Sequence, residues 1–184
     1  MKLIKHLIII FITIIISNQA KSNENIIETL KEGGKIIFIR HALAPGGGDP
    51  ENFDINDCST QRNLNDFGVE QSKNIGKFFI KNKIEIDQVL SSEWCRCKDT
   101  AFYAFKKYNT LNSLNSFFNP KFAEKKSKQI KNLKKFIKNW DSEKNLVLVT
   151  HYVVILEILN EAVNSGEIIV TDKNYNIFGS IETM

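Results

Sequence analysis

A short apolar run, Lys35 to Ile39, constrains the fold more than any other feature of the sequence. It follows the helix breakers Gly33-Gly34, is rich in β-branched residues and has no polar alternation, which is typical of a strand covered on both faces. Comparable runs predict strands from Ile84 to Leu90 and from Leu146 to Val149. Because strands buried on both faces need a layer of helices above and below them, the sequence favours an α/β fold.

Segments with helical periodicity alternate with these strands. The predicted helices cover Asn25–Lys31, Leu64–Lys81, Glu93–Lys107, Glu124–Trp140 and Val153–Val163. Two short strands, Glu167–Thr171 and Tyr175–Ile181, are expected near the C-terminus. This alternation predicts a three-layer α/β/α sandwich with a largely parallel central sheet.

The first 22 residues have the form of a signal peptide. Two lysines precede an apolar run from Leu7 to Ile16, which is well short of the roughly 20 residues that a membrane-spanning helix needs. Cleavage after Ala20 or Ser22 is therefore expected, with no stable membrane span afterwards, and an uncleaved anchor is the weaker alternative. The protein is expected to be periplasmic or secreted, and residues 23–184 are expected to form its one domain.

The formal net charge of +4 includes two or three lysines of the leader, so the domain itself is close to neutral. A nucleic-acid surface needs clustered basic charge, and binding to nucleic acid is not expected. The one basic stretch, Lys121 to Lys138, contains an apolar stripe that includes Phe122 and is interpreted as a solvated helix face.

Polar groups follow directly on the carboxyl ends of the three main strands. The pair Arg40-His41 follows the first strand, Ser91-Ser92 and then Arg96 follow the second, and Thr150-His151 follows the third. In an open α/β sheet the ligand crevice lies at this edge. Two arginines and two histidines are therefore expected to meet in one pocket.

These residue types suit the transfer of a phosphoryl group. Guanidinium groups bind its peripheral oxygens through paired, charge-assisted hydrogen bonds. Neutral imidazole is a nucleophile at neutral pH, so His41 can attack phosphorus while a backbone carbonyl holds its other ring nitrogen. His151 can then donate a hydrogen bond to the developing negative charge, and water hydrolyses the phosphohistidine. The expected activity is hydrolysis of a small phosphorylated substrate with no metal and no cofactor.

The motifs resemble those of the histidine phosphatase superfamily, the phosphoglycerate mutase-like group. The strand ending in Arg40-His41, the segment Leu64–Gln71, the segment Ser91–Ala101 and the strand ending in Thr150-His151 occur in the order typical of that family. The resemblance implies a phosphoglycerate mutase-like fold. It also implies that His41 accepts the phosphoryl group and that the catalytic pocket is completed by Arg40, Arg96 and His151.

A less usual stretch, Asp57 to Leu64, places Arg62 where a third cation can enter the pocket and bind substrate. A surface ion pair of Arg62 is the slightly preferred alternative. The loop Pro45–Pro50, with its three glycines, follows the nucleophile and is expected to be a flexible rim whose amides can approach the substrate.

The resemblance further implies a general-acid Glu in a loop after Arg96, but the corresponding region, Leu114–Phe118, contains no carboxylate. A phosphatase without a strong proton donor would favour substrates with good leaving groups. Possible substitutes for the missing acid are Asp49, Asp54, Asp57 and Glu93.

The three cysteines have several interpretations. Export would permit a disulfide, and if Cys95 and Cys97 lie at a helix start they point roughly 200° apart, so only one of them can face Cys58. Three small buried hydrophobic residues are an equal alternative. A metal or redox site built from these cysteines and a histidine is a third.

Two further alternatives concern the function as a whole. The domain can be a non-catalytic phosphate- or anion-binding protein of the same fold. A mutase is less attractive, because phosphoglycerate chemistry is cytosolic and this chain has an export signal. Among substrates, a cell-envelope phosphate or a small-molecule phosphate is expected.

Overall fold

The computed structural model describes residues 24–183, so the predicted signal peptide and its cleavage sites lie outside the described residues. The strands are β1 (Ile36–Arg40), β2 (Ile86–Ser91), β3 (Asn109–Thr110), β4 (Asn145–Thr150), β5 (Ile168–Thr171) and β6 (Ile177–Ile181). The helices are α1 (residues 24–32), α2 (Asp66–Lys81), α3 (Cys95–Phe105), α4 (Pro120–Ala123), α5 (Lys126–Asn139) and α6 (Tyr152–Leu159), and two 3-10 turns lie at Cys58–Thr60 and Asn112–Leu114.

The strands form one six-stranded sheet in the order β3-β2-β4-β1-β5-β6. The pairs β3/β2, β2/β4 and β4/β1 are parallel, whereas β5 runs antiparallel to β1 and β6 runs antiparallel to β5. Because β1, β2 and β4 are parallel neighbours, their carboxyl ends meet at one edge of the sheet. In this register Arg40 lies opposite Thr150, and Ser91 lies opposite Val149.

Both faces of the sheet are covered, as the unbroken apolar strands predict. In β1, Ile37 and Ile39 pack into a core shared with α1, α2 and α3, while Ile36 and Phe38 pack into a second core shared with α5 and α6. All four side chains are fully buried. The three-layer α/β/α sandwich with a mostly parallel sheet is therefore confirmed.

Several element ends differ from the sequence-based expectation. Helix α6 ends at Leu159 rather than continuing to Val163, because Asn160 adopts the left-handed conformation (φ 56°) that asparagine tolerates and that ends a helix. The long helix α5 begins at Lys126 rather than at the predicted Glu124, and the separate turn α4 precedes it. Phe122, predicted to join the stripe of the long helix, lies in α4 and packs edge-on against Trp94, with ring centroids 5.7 Å apart.

A disulfide joins Cys58 to Cys95, with a Cα–Cα distance of 5.7 Å. It connects the loop before α2 to the first turn of α3. Cys97 is a free, buried thiol on a different side of the helix, as the two-residue spacing predicted, and burial raises its pKa to about 12. The alternative of three unpaired buried cysteines is therefore wrong.

Replacement of Cys58 by alanine is expected to lower the free energy of unfolding by about 3 kcal/mol, because the cross-link constrains a loop spanning 37 residues of the unfolded chain. Urea denaturation with and without dithiothreitol measures this. The reductant should destabilise the wild type and the control Cys97→Ala alike, and it should leave Cys58→Ala unchanged. A wild-type midpoint insensitive to dithiothreitol would contradict the pairing.

Candidate active site

The residues at the carboxyl edge of β1, β2 and β4 surround a cavity of about 450 Å³. His41 follows β1, and its backbone N–H donates to Thr150 O at 2.9 Å, which sets it beside His151 after β4. The two imidazole centroids lie 5.5 Å apart. Arg96 enters from the first turn of α3, and these three side chains are each only 3% exposed. The structure thus brings together residues more than a hundred positions apart in sequence.

The partners of His41 assign its tautomer. Its Nδ1 lies 2.8 Å from Ala42 O, and Arg96 Nε donates to its Nε2 at 3.2 Å. Because a guanidinium can only donate, Nε2 is the acceptor and Nδ1 carries the hydrogen that binds the carbonyl. Burial, together with the nearby Arg96 charge, holds the pKa of His41 well below its usual value. The resting imidazole is neutral, with a lone pair on Nε2.

His151 has the opposite tautomer. Arg96 Nη2 lies 3.4 Å from its Nδ1, so Nδ1 accepts and Nε2 donates to Ser92 Oγ at 2.8 Å. The Ser92 hydroxyl in turn donates to Asn115 Oδ1 at 3.1 Å. Burial and the positive charge of Arg96 also hold the pKa of His151 well below normal. His151 can donate to a phosphoryl oxygen through Nδ1 only after it takes up a proton, which the negative charge of a phosphate would favour.

The Arg96 guanidinium contacts both histidines and a carboxylate of the cavity. The two terminal nitrogens of its guanidinium bind the carboxylate of Asp49, with Nη1–Oδ1 at 2.6 Å and Nη2–Oδ2 at 3.2 Å. The same side chain contacts both histidines. If considered alone, Arg96 would have been predicted at the surface. It is buried because it lies in the first turn of α3, next to the disulfide-bonded Cys95.

The other two arginines of the chain also line this cavity. Arg40 donates from Nη1 to Val163 O at 2.7 Å and lies over the Tyr152 ring, and its buried Nε–H has no hydrogen-bond partner within residues 24–183. Arg62 donates from Nε to Gly48 O at 3.0 Å and from Nη1 to Ala44 O. The preferred alternative of a surface ion pair for Arg62 is therefore wrong.

The amino-acid composition could have indicated that Arg62 belongs to the cavity. Only three of the 25 basic residues are arginines, and all three meet here. Lysine serves at every other basic position of the chain. Since only arginine offers a planar fork of donors that matches an oxyanion, the three side chains of the chain best suited to bind one are together in this cavity.

The loop Pro45–Pro50 lines the cavity as expected, and hydrogen bonds of Asp49 attach it there, while its flexibility stays a prediction. Asp49 accepts from the Arg62 backbone N–H at 3.1 Å and from Trp94 Nε1 at 3.0 Å, besides its bonds to Arg96. Gly46 and Gly48 have positive φ values of 96° and 75°, which allow the tight turns of the backbone between His41 and Asp49. Asp49 is thus the anchor of this loop.

The other candidate acids lie away from His41. Asp54 and Asp57 accept from backbone N–H groups of their own loop, those of Asn56 and Ser59. Glu93 accepts from the Asn115 side chain at 2.5 Å and lines a neighbouring cavity of about 840 Å³ together with Asp54. Of the four candidates, only Asp49 lines the cavity that contains both histidines.

Several residues that the sequence analysis did not identify as site residues position the backbone after His41. The Thr100 hydroxyl accepts from Ala42 N at 3.0 Å, and Gln71 Oε1 accepts from Leu43 N at 3.0 Å. A Cβ on Gly68 would collide with Leu43 O, so only glycine lets α2 approach this closely. The segments Leu64–Gln71 and Ser91–Ala101 thus have a physical role, which is to fix the backbone beside His41.

The redox alternative stays a prediction, whereas the metal alternative is not supported. Two of its three thiols form the disulfide, and within residues 24–183 no group of three or more His, Cys, Asp or Glu side chains is arranged to hold a metal ion. In the same range, no helix has both the length and the apolar character that a membrane span requires.

The sequence matches no protein-family model and no curated protein, but solved structures share its fold. The protein histidine phosphatase SixA complexed with tungstate is 16% identical with a TM-score of 0.54, covering 82% of this chain and 96% of that chain. Phosphoglycerate mutase from Thermus thermophilus is 14% identical with a TM-score of 0.57, covering 82% and 99%. A phosphoserine phosphatase mutant from Entamoeba histolytica, in complex with phosphoserine, is 17% identical with a TM-score of 0.53, covering 74% and 89%.

Folding stability is expected to fall as the pH drops from 7 to 5. Both buried histidines stay neutral in the folded protein, whereas in the unfolded chain they bind protons near pH 6.5, so acid favours unfolding by up to about 1.4 kcal/mol per pH unit for each histidine. Urea midpoints across this range measure the slope. His41→Gln should reduce it, and His41→Gln/His151→Gln should largely remove it. An equal slope in the double variant would contradict this origin.

Proposed function

On the premise that the chain has the phosphoglycerate mutase-like fold of the histidine phosphatase superfamily, we propose that it hydrolyses phosphomonoesters through a phosphohistidine on His41. The observation that carries the proposal is the state of His41. Its Nε2 is unprotonated and accepts a hydrogen bond from Arg96 Nε, and the ring lies in a cavity lined by every arginine of the chain. Solved structures with this fold include phosphatases, which supports a hydrolytic role.

The contacts suggest how the cavity would act. Arg40, Arg62 and Arg96 would hold the phosphoryl oxygens and neutralise their charge. His41 Nε2 would attack phosphorus, so that a P–N bond forms as the P–O bond to the leaving group breaks. Water would then attack the phosphohistidine, breaking the P–N bond and releasing inorganic phosphate. The Ala42 carbonyl would stabilise the positive ring of the intermediate by accepting from Nδ1.

The buried N–H of Arg40 adds support for an anionic ligand. Within the described residues its Nε has no hydrogen-bond partner, and a buried donor left unpaired costs about 1–3 kcal/mol. An oxyanion between the arginines could satisfy such a donor. The tungstate complex of SixA is a precedent for oxyanion binding in this fold.

The neighbouring cavity suggests the substrate class. It adjoins the first one through Trp94, Ser116 and Phe122. Its lining combines aromatic rings and side-chain amides with three exposed lysines and the two carboxylates of Asp54 and Glu93, so that its charge is positive on balance. Such a lining suits a polar organic group that carries further negative charge. We propose a substrate of this kind, either a phosphorylated small molecule or a phosphate of the cell envelope. The lysines are Lys121, Lys125 and Lys128.

The proposed location is the periplasm or the outside of the cell. It rests on the signal-peptide form of the first 22 residues and on the Cys58–Cys95 disulfide, a bond that an oxidising compartment preserves. An exported enzyme meets phosphomonoesters where the intermediates of phosphoglycerate chemistry are scarce. Hydrolysis is therefore favoured over mutase activity.

His41→Ala is expected to lower the hydrolysis of para-nitrophenyl phosphate by about 10³-fold or more, because the nucleophile is lost. Wild-type protein quenched after mixing with labelled substrate should carry acid-labile, base-stable phosphate that maps to His41. Titration with tungstate controls for folding, since the variant keeps all three arginines and should still bind the anion.

Two results would contradict the proposal in different ways. Equal rates in wild type and His41→Ala, with tungstate bound by both, would favour the non-catalytic anion-binding alternative. Label on another residue would mean that the nucleophile is misassigned.

Charge reversal in the neighbouring cavity is expected to change the substrate preference. Lys125→Glu/Lys128→Glu should raise the KM for a sugar bisphosphate about tenfold, through lost attraction and added repulsion, and should raise that for para-nitrophenyl phosphate less than about twofold. Lys131→Glu/Lys135→Glu changes the same net charge on α5 away from the cavity lining and serves as the control. Equal KM changes in both double variants would mean that only the overall charge matters.

A further inference from the structure

The Asp49 carboxylate occupies the part of Arg96 that a phosphoryl group needs. The carboxylate accepts hydrogen bonds from both terminal nitrogens of the guanidinium, while Arg96 Nε donates to His41 Nε2. A phosphate is the other anion that fits such a fork, and the same two N–H groups cannot serve both fully. Binding of a phosphomonoester therefore requires the carboxylate to give up this position.

Once released from Arg96, Asp49 would stay near the cavity. Its loop contains Gly46, Gly47 and Gly48, which permit backbone rearrangement, but Arg62 holds the loop through the carbonyls of Ala44 and Gly48. Trp94 Nε1 also holds one carboxylate oxygen. A displaced Asp49 thus stays at the rim of the cavity, where the leaving group of the substrate would lie.

We propose that Asp49 is the proton donor to the leaving group, held in the resting protein by Arg96 and released from it by the phosphoryl group of the substrate. The inference rests on the proposed function and supplies the acid that the region Leu114–Phe118 lacks. It makes Asp49 a catalytic residue rather than only a structural partner of Arg96.

The charges around Asp49 support proton uptake by its carboxylate when the substrate binds. Burial raises the pKa of Asp49, but the hydrogen bonds and charge of Arg96 outweigh it and hold the pKa below its usual value in the resting site. A bound phosphate would neutralise Arg96 and bring its own negative charge close to the carboxylate. Burial and like charge would then both raise the pKa, so that Asp49 takes up a proton when substrate is present.

The steps balance in protons and bonds. As His41 Nε2 forms its bond to phosphorus and the ester P–O bond breaks, the Asp49 carboxyl transfers its proton to the departing oxygen, which leaves as an alcohol. The resulting carboxylate then takes a proton from the attacking water while the P–N bond breaks. Inorganic phosphate leaves, and Asp49 returns to Arg96 with loss of the proton.

The other carboxylates near the site are engaged elsewhere. Glu93 is bonded to Asn115, and Asp54 and Asp57 bind backbone N–H groups of their own loop. None of these three lines the cavity with His41. Asp49 alone of the candidates combines access to that cavity with a position that depends on the ligand.

The test compares two esters that differ in leaving group. Asp49→Asn should lower kcat about 100-fold for phenyl phosphate, a poor leaving group, and less than about fivefold for para-nitrophenyl phosphate, which needs little protonation. The wild-type kcat for phenyl phosphate should fall as the pH rises through the pKa of the bound Asp49, and the variant should lose this limb. Glu51→Gln, a change at an exposed acid of the same loop, is the control and should behave as wild type.

A binding measurement tests the displacement itself. In a Trp140→Phe background Trp94 is the only tryptophan. Inorganic phosphate should change its fluorescence, because the carboxylate bound to Trp94 Nε1 shifts when it leaves Arg96, and Asp49→Ala should abolish that change while binding phosphate more tightly, since the competing carboxylate is gone.

The outcomes separate this inference from the proposed function. An active wild type whose Asp49→Asn variant loses the same factor with both esters would overturn the donor role and leave an Arg96-positioning role. Phosphate binding with no response of Trp94 would overturn the displacement. A wild type with no His41-dependent hydrolysis would overturn the proposed function and, with it, the donor role.

Discussion

The buried guanidinium of Arg96 is the interaction on which the rest of the site depends. It donates to Nε2 of His41 and thereby fixes that imidazole as the tautomer with its hydrogen on Nδ1, and it also contacts Nδ1 of His151. A cation only 3% exposed needs a counter-ion, because an unpaired buried charge costs several kcal/mol. Asp49 fulfils that need in the resting protein, so a loop residue and a helix residue stabilise each other across the cavity.

The fold supplies the rigidity that this arrangement requires. Parallel pairing of β1 with β4 sets His41 and His151 side by side, and the disulfide at Cys95 fixes the turn of α3 that carries Arg96. Behind His41, Thr100 and Gln71 hold the following backbone through hydrogen bonds. Each element therefore constrains one component of the cavity, and the loop that carries Asp49 is the part with glycines at its turns.

The sequence predicted the sheet and the convergence of both histidines with Arg40 and Arg96, because strand burial and the position of polar groups after strand ends are local patterns. It did not predict that Arg62 turns inward, since its partners are backbone carbonyls of a loop whose path no periodicity encodes. The sequence also did not distinguish among the four candidate acids. Asp49 differs from the others only through contacts made in three dimensions, with Arg96, Trp94 and the Arg62 backbone.

The region where the resemblance implied a Glu explains why the acid would have to come from elsewhere. Asn115 lies there, and its amide joins Ser92 to Glu93, so it completes the hydrogen-bond chain behind His151 instead of facing the leaving group. A carboxylate at that position could not donate to Glu93 as the Asn115 amide does, and it would place two negative charges side by side. The proposed donor Asp49 avoids this conflict, and its bonds to Arg96 would tie its protonation to the arrival of a phosphate.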